Sequence, residues 1–339
     1  VTGVEKRGDR VVALQIYTKS GIKRVLAKVF IDASGDGDVA ALAGASFMMG
    51  RPSDGLVQPM TSYFRVINVD MVRLAGDCRA NRDDFTDFVI PEGTRNEDFV
   101  MKFVVTGLTK RIARAEADGF NWSIPKDHMT LKSGLIPGEI NVNVTRVHGS
   151  GLDERQLSRA ELEIRKQAYT AFDFLKRYVA GFEGAIFLEV APKLGVRETR
   201  RIKGRYVLTE SDVRGEARFE DAIGLCNSPV DIHEPGGKRA VMDHVGTGYG
   251  IPFRCLIPQD LEGILVAGRC VSADEVAFGS TRNVPACATT GEAAGAAAAI
   301  AASMGVVPSE VPPEAVQRVL HDAGVVLGRS SDETCDKFA

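Results

Sequence analysis

Three guanidinium side chains fall within five residues of one short segment, Gly195–Gly204, as Arg197, Arg200 and Arg201, with Lys203 close behind. A guanidinium fork matches a carboxylate in shape and charge, so Arg197, Arg200 and Arg201 are candidate contacts for an anionic substrate. The same segment also reads as a strand with one arginine turned outward and one held in a structural ion pair. His233 stands with Asp231 and Glu234 in a Pro/Gly-rich loop, where side chains more often serve binding and where it can act as a general acid or base. It can equally be a locally hydrogen-bonded histidine, and His148 and His244 are weaker candidates of the same kind. Cys270 and Cys287 would form a redox pair only if they were close together with one thiolate stabilised. The other reading makes them small buried residues.

Two segments could bring backbone, rather than side chains, to a ligand. Asp32-Ala-Ser-Gly-Asp-Gly-Asp38 follows an apolar run and precedes a short small-residue helix, Val39–Gly44. Such a strand, Gly-rich turn and helix can approach a phosphate or sugar, and the helix start favours an anion. The second segment is Gly263–Ser303. It reads as a buried strand at Ile264–Ala267, a long polar loop, and a helix with ten Ala and two Gly among the eighteen residues 286–303. A helix so poor in side chains can lie very close to a sheet or a flat ligand, and its first turn offers free N–H groups and the positive end of the dipole.

Other elements must position these segments. Val1–Glu5, Arg10–Thr18 and Arg24–Ile31 read as three strands of a β-meander. The middle of the chain predicts strands at Met60–Val66, Glu139–Val147 and Ala185–Val190, and a helix over Glu97–Asp118 with Gly107 as a soft point. The clearest helix is Asp153–Val179. Asp153 can cap it, and Leu157, Ala160, Leu162, Ile164, Ala168, Ala171, Phe172 and Leu175 recur at helical spacing. Gly250–Ile257 predicts a strand leading back to the Gly263 segment, and Val311–Leu327 a closing amphipathic helix.

The chain has 339 residues, enough for two domains. A net charge of −3 gives no basic footprint for nucleic acid or a membrane surface. The six cysteines show no paired or metal-ligand spacing, which predicts reduced thiols, no metal site and a cytoplasmic location. The partner this composition allows is a small-molecule substrate, anionic if the arginines meet it.

Read together, IDASGDGD (31–38), GVRETRRIKG (195–204), VDIH (230–233), IPFRCLIP (251–258), VAGRC (266–270) and STRNVPACATTGEAAGAAAA (280–299) resemble a known family. They are similar to the FAD-dependent oxidoreductases of the glutathione-reductase-like superfamily, more narrowly to the bacterial branch usually called FAD-dependent oxidoreductase. The resemblance covers nearly the whole chain. It implies an α/β fold: a partial FAD-binding Rossmann-like domain with its β-meander, plus an inserted α+β substrate domain. Residues 1–47 and 260–305 would form the first, 48–259 the second, and 306–339 a helical tail. FAD is the implied cofactor. Asp32, Gly35, Asp36 and Gly37 would lie against it as the family's second flavin motif, and Gly268 and Arg269 near the ribityl chain and pyrophosphate. Ser280, Arg282, Ala286 and Gly291 would sit beside the flavin's pyrimidine edge, where a helix start stabilises the anionic reduced ring. The implied activity is transfer of a hydride or electron pair between a small organic substrate and the flavin, with His233, Arg197 and Arg200 on the substrate side. Such proteins begin with a strand and GxGxxG for the ADP part. No such motif opens a strand–helix unit here, so the expectation is a chain that lacks roughly the family's first third. The competing expectation is a non-catalytic fragment or binding subunit that does not hold FAD alone.

Overall fold

The computed structural model describes residues 1–88 and 104–328. The chain forms two compact units. One comprises Val1–Val57, Glu198–Ile232 and Ala240–Ala339, the other Gln58–Arg197 and His233–Arg239. The inserted unit is therefore smaller than the expected 48–259. Residues 198–232 and 240–259 join the first unit because Ile223, Tyr249, Ile251 and Phe253 pack into its core beside Leu265 and Phe278. The closing helix, Pro313–Asp322, packs Val316 and Leu320 into that same core, and it is shorter than the expected Val311–Leu327.

In the first unit, Gly3–Arg7, Arg10–Thr18 and Gly21–Leu26 make an antiparallel meander in sequence order. The expected strand Arg24–Ile31 is in fact two pieces. Gly21–Leu26 ends in the meander, and Phe30–Asp32 starts a different sheet, parallel to Ile264–Val266 with Asp32 opposite Val266. The run of apolar residues hid the break, because Leu26 and Ile31 are both exposed while Phe30 is buried. The parallel pair puts two strand ends side by side, and both chains then turn into Gly-containing loops.

The Ala-rich helix runs over Val284–Met304. Ala286, Thr290, Ala293, Ala294, Ala297 and Ala301 are its buried residues, spaced at three and four, and none is larger than Thr. Gly305 ends the helix in the left-handed conformation at φ 73°, where a side chain would be strained. The stretch before this helix, expected as a loop, contains a helix of its own, Glu275–Thr281, capped by the Asp274 carboxylate on the Ala277 N–H at 2.8 Å. The expected strand Gly250–Ile257 stops at Pro252, and Phe253–Leu256 winds into a 3₁₀ turn.

The second unit is a six-stranded sheet in the order Ile186–Val190, Phe64–Ile67, Ile140–Asn143, Met129–Ser133, Val104–Gly107, Phe85–Phe88, with every pairing antiparallel. Alternate residues Phe64, Val66, Ile140, Val142, Met129 and Leu131 form one buried face. Helices Met71–Ala80, Thr109–Ala117 and Glu154–Tyr178 cover that face with Leu74, Cys78, Ile112, Ala171, Phe174 and Leu175. This is an α+β arrangement, with an antiparallel sheet apolar on one side only. Asp153 caps the long helix by accepting from the N–H groups of Arg155 and Gln156, both at 2.9 Å.

The expected helix over Glu97–Asp118 starts only at Thr109, and its residues 97–103 lie outside the described residues. Val104–Gly107 is a strand instead. Gly107 at φ 146° and Leu108 at φ 68° make the corner between strand and helix. A Cβ on Gly107 would stand 2.1 Å from the Asp84 carbonyl oxygen, so the glycine is a close-approach residue and not a soft point in a helix.

Phe174 is the centre of this core. It stacks on Tyr178 at 5.3 Å and meets the edges of Trp122 at 5.1 Å and Phe120 at 6.1 Å. Phe174→Ala removes these contacts and opens a cavity, which costs about 3–5 kcal/mol in such settings. Urea unfolding followed by Trp122 fluorescence should show a loss of that size, and a loss under about 1 kcal/mol would show that the aromatic cluster is not the core of this unit.

Candidate functional site

The Gly-rich turn after Phe30–Asp32 is shaped by Asp32, which is 1% exposed. One carboxylate oxygen accepts from the Ser34 N–H at 3.0 Å, the other from the Ala40 N–H at 2.8 Å. Asp32 therefore ties the strand end to the turn and to the start of helix Asp38–Leu42, and both its oxygens are used inside the protein. Gly35 and Gly37 have φ of 81° and 65°, a region that L side chains avoid. At Gly37 a Cβ would also stand 2.8 Å from Ile202 Cδ1.

Asp36 is the hub between this turn and the second strand end. Arg269 donates through Nε to the Gly35 carbonyl at 2.9 Å and through Nη2 to the Asp36 carboxylate at 2.5 Å. Thr199 Oγ1 donates to the same carboxylate at 2.7 Å. Arg200 donates to the Asp36 carbonyl at 3.1 Å and pairs with Asp38 at 2.9 Å, its guanidinium lying over the Phe47 ring. Five expected site residues (Asp32, Gly35, Asp36, Gly37 and Arg269) thus meet, and Arg200, expected on the substrate side, joins them. Arg201 is buried in an ion pair with Glu198 and donates to the carbonyls of Ala273 and Gly50. Of the two readings of the arginine segment, structural pairing describes Arg200 and Arg201. Arg200 also borders an open cavity of about 510 Å³ with Ser34, Asp38 and Phe47.

The Ala-rich helix reaches the same strand ends. The Gly268 N–H donates to Thr290 Oγ1 at 3.0 Å. Gly268 sits at φ 75° with nothing within 4 Å of where a Cβ would be, and Gly291 and Gly295, one helical turn apart, face open space likewise. Ser280 and Ala286 are 0% exposed, within the core of this unit. The Ser280 hydroxyl accepts from Tyr249 at 2.7 Å and donates to the Ser228 carbonyl at 2.6 Å. Arg282 pairs with Asp231 at 2.9 Å. Burial raises the Cys270 thiol to about 12, with the neighbouring Asp32 charge acting in the same direction, and burial also raises Cys287. Cys270 is buried, as the structural reading of these cysteines has it, while Cys287 is only partly buried.

Arg197 and His233 lie in the second unit. Arg197 donates to the Pro59 carbonyl at 2.6 Å. His233 ends the strand Val230–His233 and does not lie in the expected loop; it is 7% exposed, and its Nδ1 lies 3.1 Å from an Arg146 guanidinium nitrogen. Arginine can only donate, so Nδ1 accepts and the His233 proton is on Nε2. Arg146 is the residue that sequence reading missed. It is 1% exposed, donates to the carbonyls of Gly237 at 2.7 Å and Arg239 at 3.1 Å, and has its own backbone clamped by the Gln167 amide. A signal for it existed. Ile140, Val142 and Val144 alternate as buried residues, and Arg146 takes the next core-facing place in that phase.

Residues 1–320 match a family model described as FAD dependent oxidoreductase, and the chain belongs to this family. FAD is the family's cofactor. No curated protein matches the chain. A solved triple mutant of the flavin-dependent brominase Bmp2 is similar at a TM-score of 0.40 and 13% identity. The likeness covers 95% of this chain and 54% of that one, so the chain spans about half the length of the solved protein.

The residues present fit such a group on observations of their own. Thr281 Oγ1 and Arg282 Nε, adjacent in the chain, are buried without a hydrogen-bond partner among the described residues. They stand at the junction of helices Glu275–Thr281 and Val284–Met304, and the second of these has no side-chain cap on its first turn. The bare faces at Gly268 and Gly291 leave room for a flat ligand.

Two predictions follow from this geometry. Asp32→Ala strands two N–H groups, one of them buried, at a cost of about 1–3 kcal/mol each. The half-exposed Asp36–Arg269 pair is worth about 1 kcal/mol, so Asp36→Asn should destabilise less than Asp32→Ala in urea unfolding, and the reverse order would refute this division of roles. The second concerns pH. His128 is held below its ordinary value of 6.5, first by burial and then by the Lys126 charge, against the opposing effect of Asp127. His148, more exposed, is lowered by burial and by Arg146. A lowered histidine leaves the unfolded chain binding more protons, so stability is full above about pH 6.5 and falls as pH drops below it. The melting temperature should decline from pH 7.5 to 5.5, and the double substitution His128→Gln, His148→Gln should flatten that decline.

Proposed function

We propose that this chain supplies the flavin-side half of an FAD-dependent oxidoreductase acting on a small organic anion. The observation that carries the reading is the pair of unpartnered buried atoms, Thr281 Oγ1 and Arg282 Nε, beside an uncapped helix start in the unit that also holds the Asp36–Arg269 clamp. In this reading Gly35, Gly37, Gly268, Arg269, Arg282 and Gly291 lie against the cofactor. Asp32, Asp36 and Arg200 hold the turn in shape, and Ser280 and Ala286 set the helix junction from within the core. FAD when bound supplies the hydride or electron-pair chemistry, and the protein supplies position and electrostatics. The helix start and the Arg282 charge favour an anionic ring.

On the substrate side, His233 holds a proton at Nε2 in a tautomer set by Arg146. Arg197, already bonded to a carbonyl, adds positive charge on that unit. The finer placement within the glutathione-reductase-like superfamily rests on the motif resemblance, as do the Rossmann-like assignment of the first unit and the substrate role of the second.

The test is retention of FAD by the purified chain, read as quenched flavin fluorescence and a yellow band that survives desalting. Arg269→Ala should weaken binding by tenfold or more, about 1.4 kcal/mol. His233→Gln should leave FAD in place while slowing anaerobic flavin bleaching by a panel of small organic acids, by 10²-fold or more for a lost acid–base group. Absence of retention would refute autonomous FAD binding, and unchanged bleaching rates would remove His233 from the reaction.

A further inference from the structure

Helix Glu154–Tyr178 carries three charged pairs at i,i+4 spacing that differ in how they are used. Glu161–Arg165 and Asp173–Arg177 are closed ion pairs. Arg159 and Glu163 stand at the same spacing, on one face and one turn apart, yet make no ion pair with each other or with any described residue. Both instead line an open cavity of about 460 Å³ within the second unit. This volume is within the range of small-molecule sites.

The rest of the cavity wall mixes apolar groups, Pro125 and Val147, with polar ones. Arg146 and Gln167 form its floor, and both are buried. His148 is at the rim, where its Nδ1 accepts the Gly236 N–H at 3.2 Å. Its remaining nitrogen, Nε2, therefore carries the proton and can donate. His148 is held below the usual histidine range, first by burial and then by the Arg146 charge. The donors are thus the Arg159 guanidinium, His148 Nε2–H and the Ser123 hydroxyl, over a buried cation. The one carboxylate is Glu163.

We propose that this cavity binds a small zwitterion of the α-amino acid class, its carboxylate on Arg159 and His148 and its ammonium on Glu163. A ligand of this kind completes both open charges at once. A simple carboxylate would leave Glu163 unpaired beside it, and a simple amine would meet Arg146 and Arg159. Every group the site uses lies in the second unit, where Arg146 also sets the His233 tautomer of the proposed reaction, and the test below is run without FAD.

Trp122, the chain's only tryptophan, is next to Ser123 on the cavity wall and reports occupancy by fluorescence. The experiment titrates each of the common L-amino acids into the purified chain without FAD, by calorimetry and by Trp122 emission. Each binder is then compared with its des-amino acid. At least one amino acid should bind with a Kd below about 1 mM and at least tenfold tighter than its des-amino counterpart. Arg159→Gln should weaken binding at least tenfold. Glu163→Gln should abolish the preference over the des-amino acid while leaving the carboxylate held. Neither side chain has an ion-pair partner among the described residues, so both variants should melt as the parent does. The proposal is overturned if no amino acid binds, if amino and des-amino acids bind alike, or if Arg159→Gln binds as the parent does.

Discussion

The Asp32 carboxylate is the constraint on which the cluster at the first unit's parallel strand ends depends. Its two backbone hydrogen bonds fix where the first parallel strand ends, how the Gly-rich turn leaves it and where the next helix begins. With the turn fixed, Gly35 and Asp36 meet Arg269, and the second parallel strand is drawn to the same place. The order of strengths matters here. Two N–H groups pinned by a buried carboxylate outweigh an ion pair that water can reach. Asp32 therefore sets the shape, and Arg269 sets the charge that the shape presents.

The Ala-rich helix meets this arrangement through absence of side chains. Alanines at three- and four-residue spacing let it sit closely on the core, while Gly291 and Gly295 leave its other side bare. A side chain larger than Thr on the inner stripe would push the helix away from the strand ends, and one on the outer face would fill space a flat cofactor needs. The second unit solves a different problem. It buries one whole arginine, Arg146, and satisfies it with backbone carbonyls and a histidine, which makes a rigid cationic floor under an open cavity.

Much of this was legible in the sequence where the signal was local. Asp153 and the spacing of Ala160, Ile164, Ala168 and Ala171 marked the long helix to within a residue at each end, because cap and periodicity act over one turn. The family itself was legible from the ordered motifs, and the matching model over residues 1–320 agrees. What failed was non-local. Asp36 and Arg269 are 233 positions apart, and no spacing rule connects them. The split of Arg24–Ile31 depends on which strand Phe30 pairs with, and an apolar run carries no such information. Ser280 and Ala286 are small residues at a helix start, which reads as ligand contact, yet they face the core. Arg200 looked like a substrate anchor because a guanidinium in sequence does not show its partner, and here the partners are Asp36 and Asp38.

The central claim is that FAD meets the first unit at the Asp32–Asp38 turn and at the junction that leads into the Ala-rich helix. Amide hydrogen exchange of the chain, with and without FAD, measures this directly. The account predicts slowed exchange in residues 33–38 and 267–291 when FAD is present, with the meander strands Gly3–Arg7 and Gly21–Leu26 unchanged. FAD-dependent protection confined to other segments, with 33–38 and 267–291 unaffected, would contradict it.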